Sequence, residues 1–235
     1  MDRFERLAGA LRRIPGLEVR ENEPMKRHTT FRIGGPARLM ALPKSPAQAK
    51  AAVLSAREAD IVPFFLGNGS NLLEPDEGVD RFLIQPAGRY SIDPLNRVWE
   101  EHGQLCAGGG VSLAMLASAA LGRNLTGLEF ASGIPGSVGG AVVMNAGAYG
   151  GEMAQVLSSV TALDLNGSIE TIPAERCGFG YRKSIFSDGR RLVLEARFHL
   201  ESGDPDAIRA RMDELAAKRK EKQPLEYPSA GSMFK

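Results

Sequence analysis

The sequence predicts an α+β protein built from two lobes. Three observations carry that expectation. The chain has 235 residues, more than one typical hydrophobic core needs. Segments with apolar residues at helical spacing are interleaved with short apolar runs bounded by Gly, Pro, Asn and Asp. Glycine-rich stretches stand at 67–73, 108–112 and 133–149, where strands or loops pass into helices.

The elements follow in order. Phe4, Leu7, Ala8 and Leu11 recur at helical spacing between Asp2 and Arg13, and Pro15-Gly16 ends that helix. In Thr29-Thr30-Phe31-Arg32-Ile33-Gly34-Gly35-Pro36, apolar and polar residues alternate before a turn. Ala37 to Leu42 predicts a strand. Ser45 caps a helix that opens on Pro46 and runs to about Ala59. Ile61 to Leu66 predicts a short buried strand. It leads into Gly67-Asn68-Gly69-Ser70-Asn71-Leu72-Leu73, the usual placement of a phosphate cradle. No Gly-Lys-Ser/Thr follows, and Leu72 stands where a dinucleotide fingerprint needs its third glycine. A tight polar turn is the alternative for this loop alone.

Residues 79 to 107 alternate apolar and polar in short pieces, which predicts strands of a sheet or meander. Gly108-Gly109-Gly110 then precedes Ser112, which caps an apolar helix from Leu113 to Leu121. That run is a second candidate for backbone contact with an anion, or simply a flexible lead-in. The densest glycine run follows: Gly133, Gly136, Gly139, Gly140 and Gly147, with Pro135 between the first two. Such a run is expected to break a helix and to pack poorly as a core strand. It suits close backbone approach to a phosphate or a flat ring. Val156 to Leu165 and Ser168 to Ile172 predict a hairpin turned at Asn166-Gly167. Leu192 to Leu200 predicts another strand, and a helix runs from about Asp206 to Lys222.

Composition excludes several classes. Hydrophobic residues at 43% and charged residues at 24% are ordinary for a folded domain. With 29 basic and 28 acidic residues, no nucleic-acid footprint or membrane-surface patch is expected. The basic run Lys218-Arg219-Lys220-Glu221-Lys222 reads mostly as a solvated helix face. Cys106 and Cys177, with His28, His102 and His199, have no metal-ligand spacing, so no metal is expected. Sparse cysteines suit a reducing cytoplasm. The charged start Asp2-Arg3-Phe4-Glu5-Arg6 argues against a secretory signal, and no apolar run is long enough to span a bilayer.

Five segments together carry a resemblance. These are Thr29–Gly35, Gly67–Leu73, Gly133–Tyr149, Tyr181-Arg182-Lys183-Ser184-Ile185-Phe186, and Pro228-Ser229-Ala230-Gly231-Ser232-Met233-Phe234-Lys235. In their order and spacing, spread over most of the chain, the sequence resembles the UDP-N-acetylenolpyruvoylglucosamine reductase (MurB) family, in its shorter subtype. The resemblance implies an FAD-binding fold of the vanillyl-alcohol-oxidase/MurB type, with two lobes holding the flavin. It implies an N-terminal lobe at 1–78, a second lobe at 79–205, and the start of a substrate-binding domain at 206–235. It implies NADPH-dependent reduction of the enolpyruvyl ether of a UDP-sugar to UDP-N-acetylmuramate for peptidoglycan, by a cytoplasmic monomer.

The same resemblance distributes roles. FAD contacts are implied for Gly67, Asn68, Gly69, Ser70, Asn71 and Leu72, for Gly109 and Gly110, and for Ser132, Gly133, Ile134, Pro135, Gly136, Ser137, Gly139, Gly140, Ala141, Asn145 and Gly147. Arg182 matches the arginine that stabilises negative charge beside the substrate carboxylate. Ser232 matches the proton donor. Tyr149, Tyr181 and Lys222 are implied substrate contacts. From the residues alone, a surface ion pair for Arg182 and a turn hydroxyl for Ser232 are the favoured readings, Lys222 could equally be a solvated helix lysine, and Tyr149 could simply pack at the loop end. The family pattern continues past Phe-Lys into Asn-Pro and a further domain with a catalytic glutamate. The sequence ends at Lys235, and neither Glu129 nor Glu152 stands in that motif, so impaired activity is expected of the chain as given. Two rival readings are a flavin-dependent oxidase or dehydrogenase of the same fold, and a non-catalytic flavin-binding module.

Overall fold

The computed structural model describes residues 2–86, 93–224 and 226–228. Two sheets carry the architecture. The first uses β1 (Glu18–Pro24), β2 (Pro36–Leu42), β3 (Phe64–Phe65) and β4 (Val79–Ile84), in the order β1-β2-β4-β3. β1 is antiparallel to β2, while β2 and β3 both run parallel to β4. The second uses β5 (Val98–Glu101), β6 (Gln104–Gly108), β10 (Leu157–Asp164), β11 (Ile169–Pro173) and β12 (Arg191–Phe198). Its order is β11-β10-β12-β6-β5, antiparallel throughout. Between and after these lie the short pairs β7 (Leu125–Thr126) with β13 (Glu201–Ser202), and β8 (Gly147–Ala148) with β9 (Gly151–Glu152).

Helices α1 (Arg3–Leu11) and α2 (Pro46–Glu58) cover one face of the first sheet. Their starts follow the local chemistry. The Glu5 carboxylate accepts from the Asp2 N–H at 3.1 Å, and the Ser45 hydroxyl accepts from the Gln48 N–H at 3.3 Å. Leu39 and Ala41 of β2 face these helices, while Met40 and Leu42 pack on the opposite side with Met25, Leu66 and Leu83. A sheet with parallel strands buried on both faces needs such near-continuous apolar runs.

The second sheet is shared. Leu163, Leu192 and Leu194 pack into the core of α1 and α2. Val160, Val193, Ala196 and Phe198 pack against α3 (Leu113–Leu121) and α4 (Val138–Val143). Helix α5 (Pro205–Lys222) lies against α3 and the turn Glu129–Ala131. Cys106 and Cys177 are buried and free, and burial pushes the Cys177 thiol up to about 11.

Three expectations change. Residues 79–107 do not form one meander: Val79–Ile84 pairs between β2 and β3, whereas 98–108 joins the second sheet. The first sheet therefore runs past residue 78. Of Ile61–Leu66, only Phe64–Phe65 is paired as strand. Most instructive, the glycine-dense run contains a helix. Gly139 and Gly140 lie inside α4, which survives because Ser137 caps it at 3.3 Å and Val138, Ala141 and Val142 are buried. Tertiary burial outweighs the cost of about 1 kcal/mol per glycine.

Glycine at 109 is required by space. A Cβ there would lie 2.1 Å from the Val193 carbonyl oxygen, whereas at Gly9 in α1 it would meet nothing within 4 Å. Gly109→Ala is expected to destabilise the chain by about 1–3 kcal/mol, and Gly9→Ala to stabilise it by about 0.5–1 kcal/mol. Urea unfolding checks both, and a Gly109→Ala midpoint equal to that of the parent contradicts the packing account.

Candidate functional site

A cavity of about 820 Å³ opens between the two sheets. Its walls come from the ends of β3 and β12, the loop after β3, the segment 134–149, and the end of α5. Such a volume is in the range of small-molecule and cofactor sites.

The loop after β3 supplies donors. The backbone N–H groups of Asn68, Gly69, Ser70 and Asn71 have no acceptor within the protein among the described residues. All four residues line the cavity. Consecutive unpartnered N–H groups form a concavity suited to an anion, because they offer partial positive charge without competing side chains. Gly69 has a left-handed backbone (φ +62) and lies so close to the His28 carbonyl that a Cβ would be 2.0 Å from its oxygen.

The other glycine runs differ. Gly108 N–H donates to the Arg97 carbonyl, Gly109 to Leu194, Gly110 to Leu95, and Val111 to Gly108. None of these four donors is left for a ligand, so the expected anion contact has no free amide between Gly108 and Val111. Gly109 still lines the cavity; Gly110 does not, and is packed where a Cβ would sit 2.3 Å from Asn96 Oδ1. In the third run, Val138 N–H goes to the Val111 carbonyl at 2.8 Å, Gly139 to the Gly109 carbonyl at 2.7 Å, and Gly140 to the Ser137 hydroxyl. Those three donors are spent within the protein, but the Gly136 and Ser137 N–H groups of the same run line the cavity with no acceptor among the described residues. Ser137 sits so close to Gly67 that a Cβ there would be 2.6 Å from its hydroxyl, which joins the two loops into one floor.

Charge is concentrated on one side. The cavity is lined by Arg32, Arg182, Arg191 and Arg219 against a single acid, Glu226. Arg182 has a left-handed backbone (φ 53), and its guanidinium donates to the Gly147 carbonyl at 2.8 Å and the Asn145 carbonyl at 3.4 Å. It lies 5.3 Å from the Tyr181 ring centroid. No carboxylate forms an ion pair with it among the described residues. A guanidinium held by neutral carbonyls keeps its charge and further N–H donors for an anionic ligand. The segment that carries it is tied down: the Ser184 and Ser187 hydroxyls both donate to the Val143 carbonyl at the end of α4, and Phe186 is fully buried.

Volume, an anion-binding row of N–H groups, a side-chain-free floor and an excess of arginine fit a flavin dinucleotide. The diphosphate would be held by 68–71 and the flat ring would lie along 136–140. Comparison with known proteins agrees. A family model described as an FAD binding domain matches residues 37–173. The chain is 48% identical over 218 residues to the UDP-N-acetylenolpyruvoylglucosamine reductase of Clostridium novyi, covering 93% of this chain and 69% of that protein. Its counterpart in Geobacillus thermodenitrificans is 45% identical, over all of this chain and 76% of the relative. The chain belongs to the UDP-N-acetylenolpyruvoylglucosamine reductase family. Among solved structures, the enzyme of that name (MurB) from Thermus caldophilus superposes with a TM-score of 0.76 at 36% identity, covering 93% of this chain and 75% of that one. Glucooligosaccharide oxidase from Acremonium strictum shares the fold alone, with a TM-score of 0.60 at 18% identity over 84% of this chain and 43% of that one.

Of the residues singled out by sequence, the cavity brings together Gly67, Asn68, Gly69, Ser70, Asn71, Leu72, Gly109, Ile134, Pro135, Gly136, Ser137, Gly139, Gly140, Ala141, Gly147, Tyr149 and Arg182. Ser132 and Gly133 stand behind it: the Ser132 hydroxyl donates to the Glu129 carbonyl, and the Arg219 stem packs over Gly133. Tyr181 is 64% exposed and does not line the cavity. Lys222 ends α5 outside the lining, while Arg219 and Gln223 beside it are within. Arg219 is thus not the solvated residue its basic run implied, because α5 turns that side chain toward Gly133. Ser232 lies outside the described residues.

Asn145 has a different task from the ligand contact expected of it. It is buried, does not line the cavity, and has a left-handed backbone (φ 40). Its amide donates to the Gly180 carbonyl at 3.1 Å and accepts from the Ala154 N–H at 2.9 Å, while its own carbonyl takes Arg182. It braces the arginine loop. Asn145→Ala leaves the Ala154 N–H unpartnered and the Gly180 carbonyl with the Lys183 N–H alone, and is expected to cost about 1–3 kcal/mol. A urea midpoint unchanged by the substitution contradicts this.

Proposed function

We propose that this chain carries out the reaction for which its relatives are named. With FAD, and NADPH as reductant, it reduces the enolpyruvyl ether of UDP-N-acetylglucosamine to UDP-N-acetylmuramate for peptidoglycan. The observation that carries the reading is the placement of Arg182, with no carboxylate paired to it among the described residues, on the same cavity as the N–H row of Asn68–Asn71, which likewise has no acceptor among them. One element suits a diphosphate and the other suits a carboxylate, and a flavin dinucleotide reacting with an enolpyruvyl acid presents both.

When bound along 67–72 and 134–141, FAD would supply the hydride-transfer chemistry between NADPH and the substrate double bond. The protein's own contribution is position and field. Arg182, locked by the Asn145 and Gly147 carbonyls, faces the negative charge that grows beside the substrate carboxylate. Arg32 and Arg219 add positive potential for a nucleotide sugar without being committed to an ion pair among the described residues. The floor of Gly136, Gly139 and Gly140 admits a flat ring without side-chain obstruction. The proton-donor role of Ser232 rests on the family resemblance. Two buried free thiols support a cytoplasmic setting. No helix among the described residues is long and apolar enough to cross a membrane.

Purified chain is expected to bind FAD and turn yellow, to be bleached by NADPH without oxygen, and to be reoxidised by the enolpyruvyl UDP-sugar. Arg182→Ala is expected to keep FAD binding while slowing substrate-dependent reoxidation roughly 100- to 1000-fold. Reoxidation by oxygen alone, with no response to the UDP-sugar, contradicts the reading in favour of an oxidase. A chain that takes up no FAD removes it altogether.

A further inference from the structure

Behind the N–H row lies a buried polar chain that does not reach the cavity. Glu23, near the end of β1, and His28, just after the turn Met25–Arg27, have side chains only 9% and 10% exposed. His28 Nε2 lies 2.9 Å from Glu23 Oε1, and His28 Nδ1 lies 2.7 Å from Gln85 Oε1. Gln85, directly after β4, donates through Nε2 to the Gly67 carbonyl at 2.7 Å. Its own backbone N–H is pinned to the Ala41 carbonyl at 3.0 Å. Arg20 at 3.0 Å and Arg27 at 3.9 Å also face Glu23. Burial pushes the Glu23 carboxyl up, but hydrogen bonds from His28 and Arg20 outweigh that and hold it below the ordinary carboxylate range.

The orientation of each group follows from its neighbour. A carbonyl oxygen can only accept, so the NH₂ end of Gln85 faces Gly67 and its oxygen faces His28. His28 Nδ1 is then the donor to Gln85. In a planar trans peptide the carbonyl oxygen of Gly67 and the N–H of Asn68 point to opposite sides. Gly67 and Asn68 line the cavity, whereas Glu23, His28 and Gln85 do not. Holding the carbonyl from behind therefore turns the Asn68 N–H forward. The same loop is braced again at Gly69, whose carbonyl accepts from the Thr30 N–H at 3.3 Å.

We propose that Gln85 and His28 are positioning residues for the cofactor diphosphate, aiming the N–H groups of the 68–71 loop through the Gly67 peptide. The proposal rests on the FAD reading above and assigns the loop's direction to side chains outside the site. Without the Gln85 donor, the Gly67 carbonyl is free to rotate toward the cavity, where its oxygen repels a phosphate.

The test is FAD titration of the full chain, with ³¹P spectra of the bound diphosphate at saturation. Gln85→Met keeps length and removes both polar ends. It is expected to weaken FAD about tenfold or more and to move the diphosphate resonances toward those of free FAD, with the visible flavin spectrum retained. His28→Leu is expected to act in the same direction. His28→Gln, which can still donate to Gln85, is expected to recover part of the loss. An affinity within twofold of the parent overturns the proposal. So does weaker binding with unchanged ³¹P resonances, which marks a merely structural role. If Gln85→Met does not fold, His28→Leu and His28→Gln are read by the same criteria. Failure of the parent chain to bind FAD strikes the functional reading instead, which keeps the two failures apart.

Discussion

The site depends on one close backbone contact. Gly139 donates to the Gly109 carbonyl at 2.7 Å while Gly109 donates to Leu194 in the middle of the second sheet. A Cβ on Gly109 would lie 2.1 Å from the Val193 oxygen, and one on Gly139 would lie 3.0 Å from the Gly109 oxygen. This double approach seats α4 directly on β6 and β12. It places Ser137 against Gly67, so that loops from two different sheets meet as one surface. The cavity, the arginine loop tied to the end of α4, and the free N–H row all take their positions from that seat.

The three glycine runs divide the work. Among the described residues, the loop at 68–71 keeps four consecutive N–H groups uncommitted, and Gly136 and Ser137 keep theirs as well. The runs at 108–111 and 138–140 spend theirs internally and contribute closeness instead. A dinucleotide needs both, because its diphosphate seeks donors while its ring seeks a surface without side chains. Positive potential is added separately by Arg32, Arg182, Arg191 and Arg219. The protein thus separates steric accommodation from charge recognition, and each can be altered alone.

Local sequence rules were sufficient for the elements they govern. Apolar spacing placed α1 and α3, serine caps placed the starts of α2 and α3, and Asn166-Gly167 placed the β10–β11 turn. Motif order located most of the cavity. The remainder depends on tertiary contacts that no local window contains. Glycines at 139 and 140 read as helix breakers because burial against β12 is invisible in a single stretch. Val79–Ile84 read with its neighbours because parallel pairing with β2 and β3 joins segments far apart in the chain. Asn145 read as a ligand contact, although both ends of its amide are consumed by Gly180 and Ala154. Arg219 was hidden in a charged run whose one cavity-facing member only packing identifies.

The central claim is that the Asn68–Asn71 amides are an anion cradle and that the glycine run at 108–111 is not. Amide hydrogen exchange with and without FAD tests it most directly. The account predicts that FAD slows exchange at Asn68, Gly69, Ser70 and Asn71, while Gly108–Val111, already bonded within the protein, changes little. Protection gained at 108–111 with none at 68–71 would contradict it.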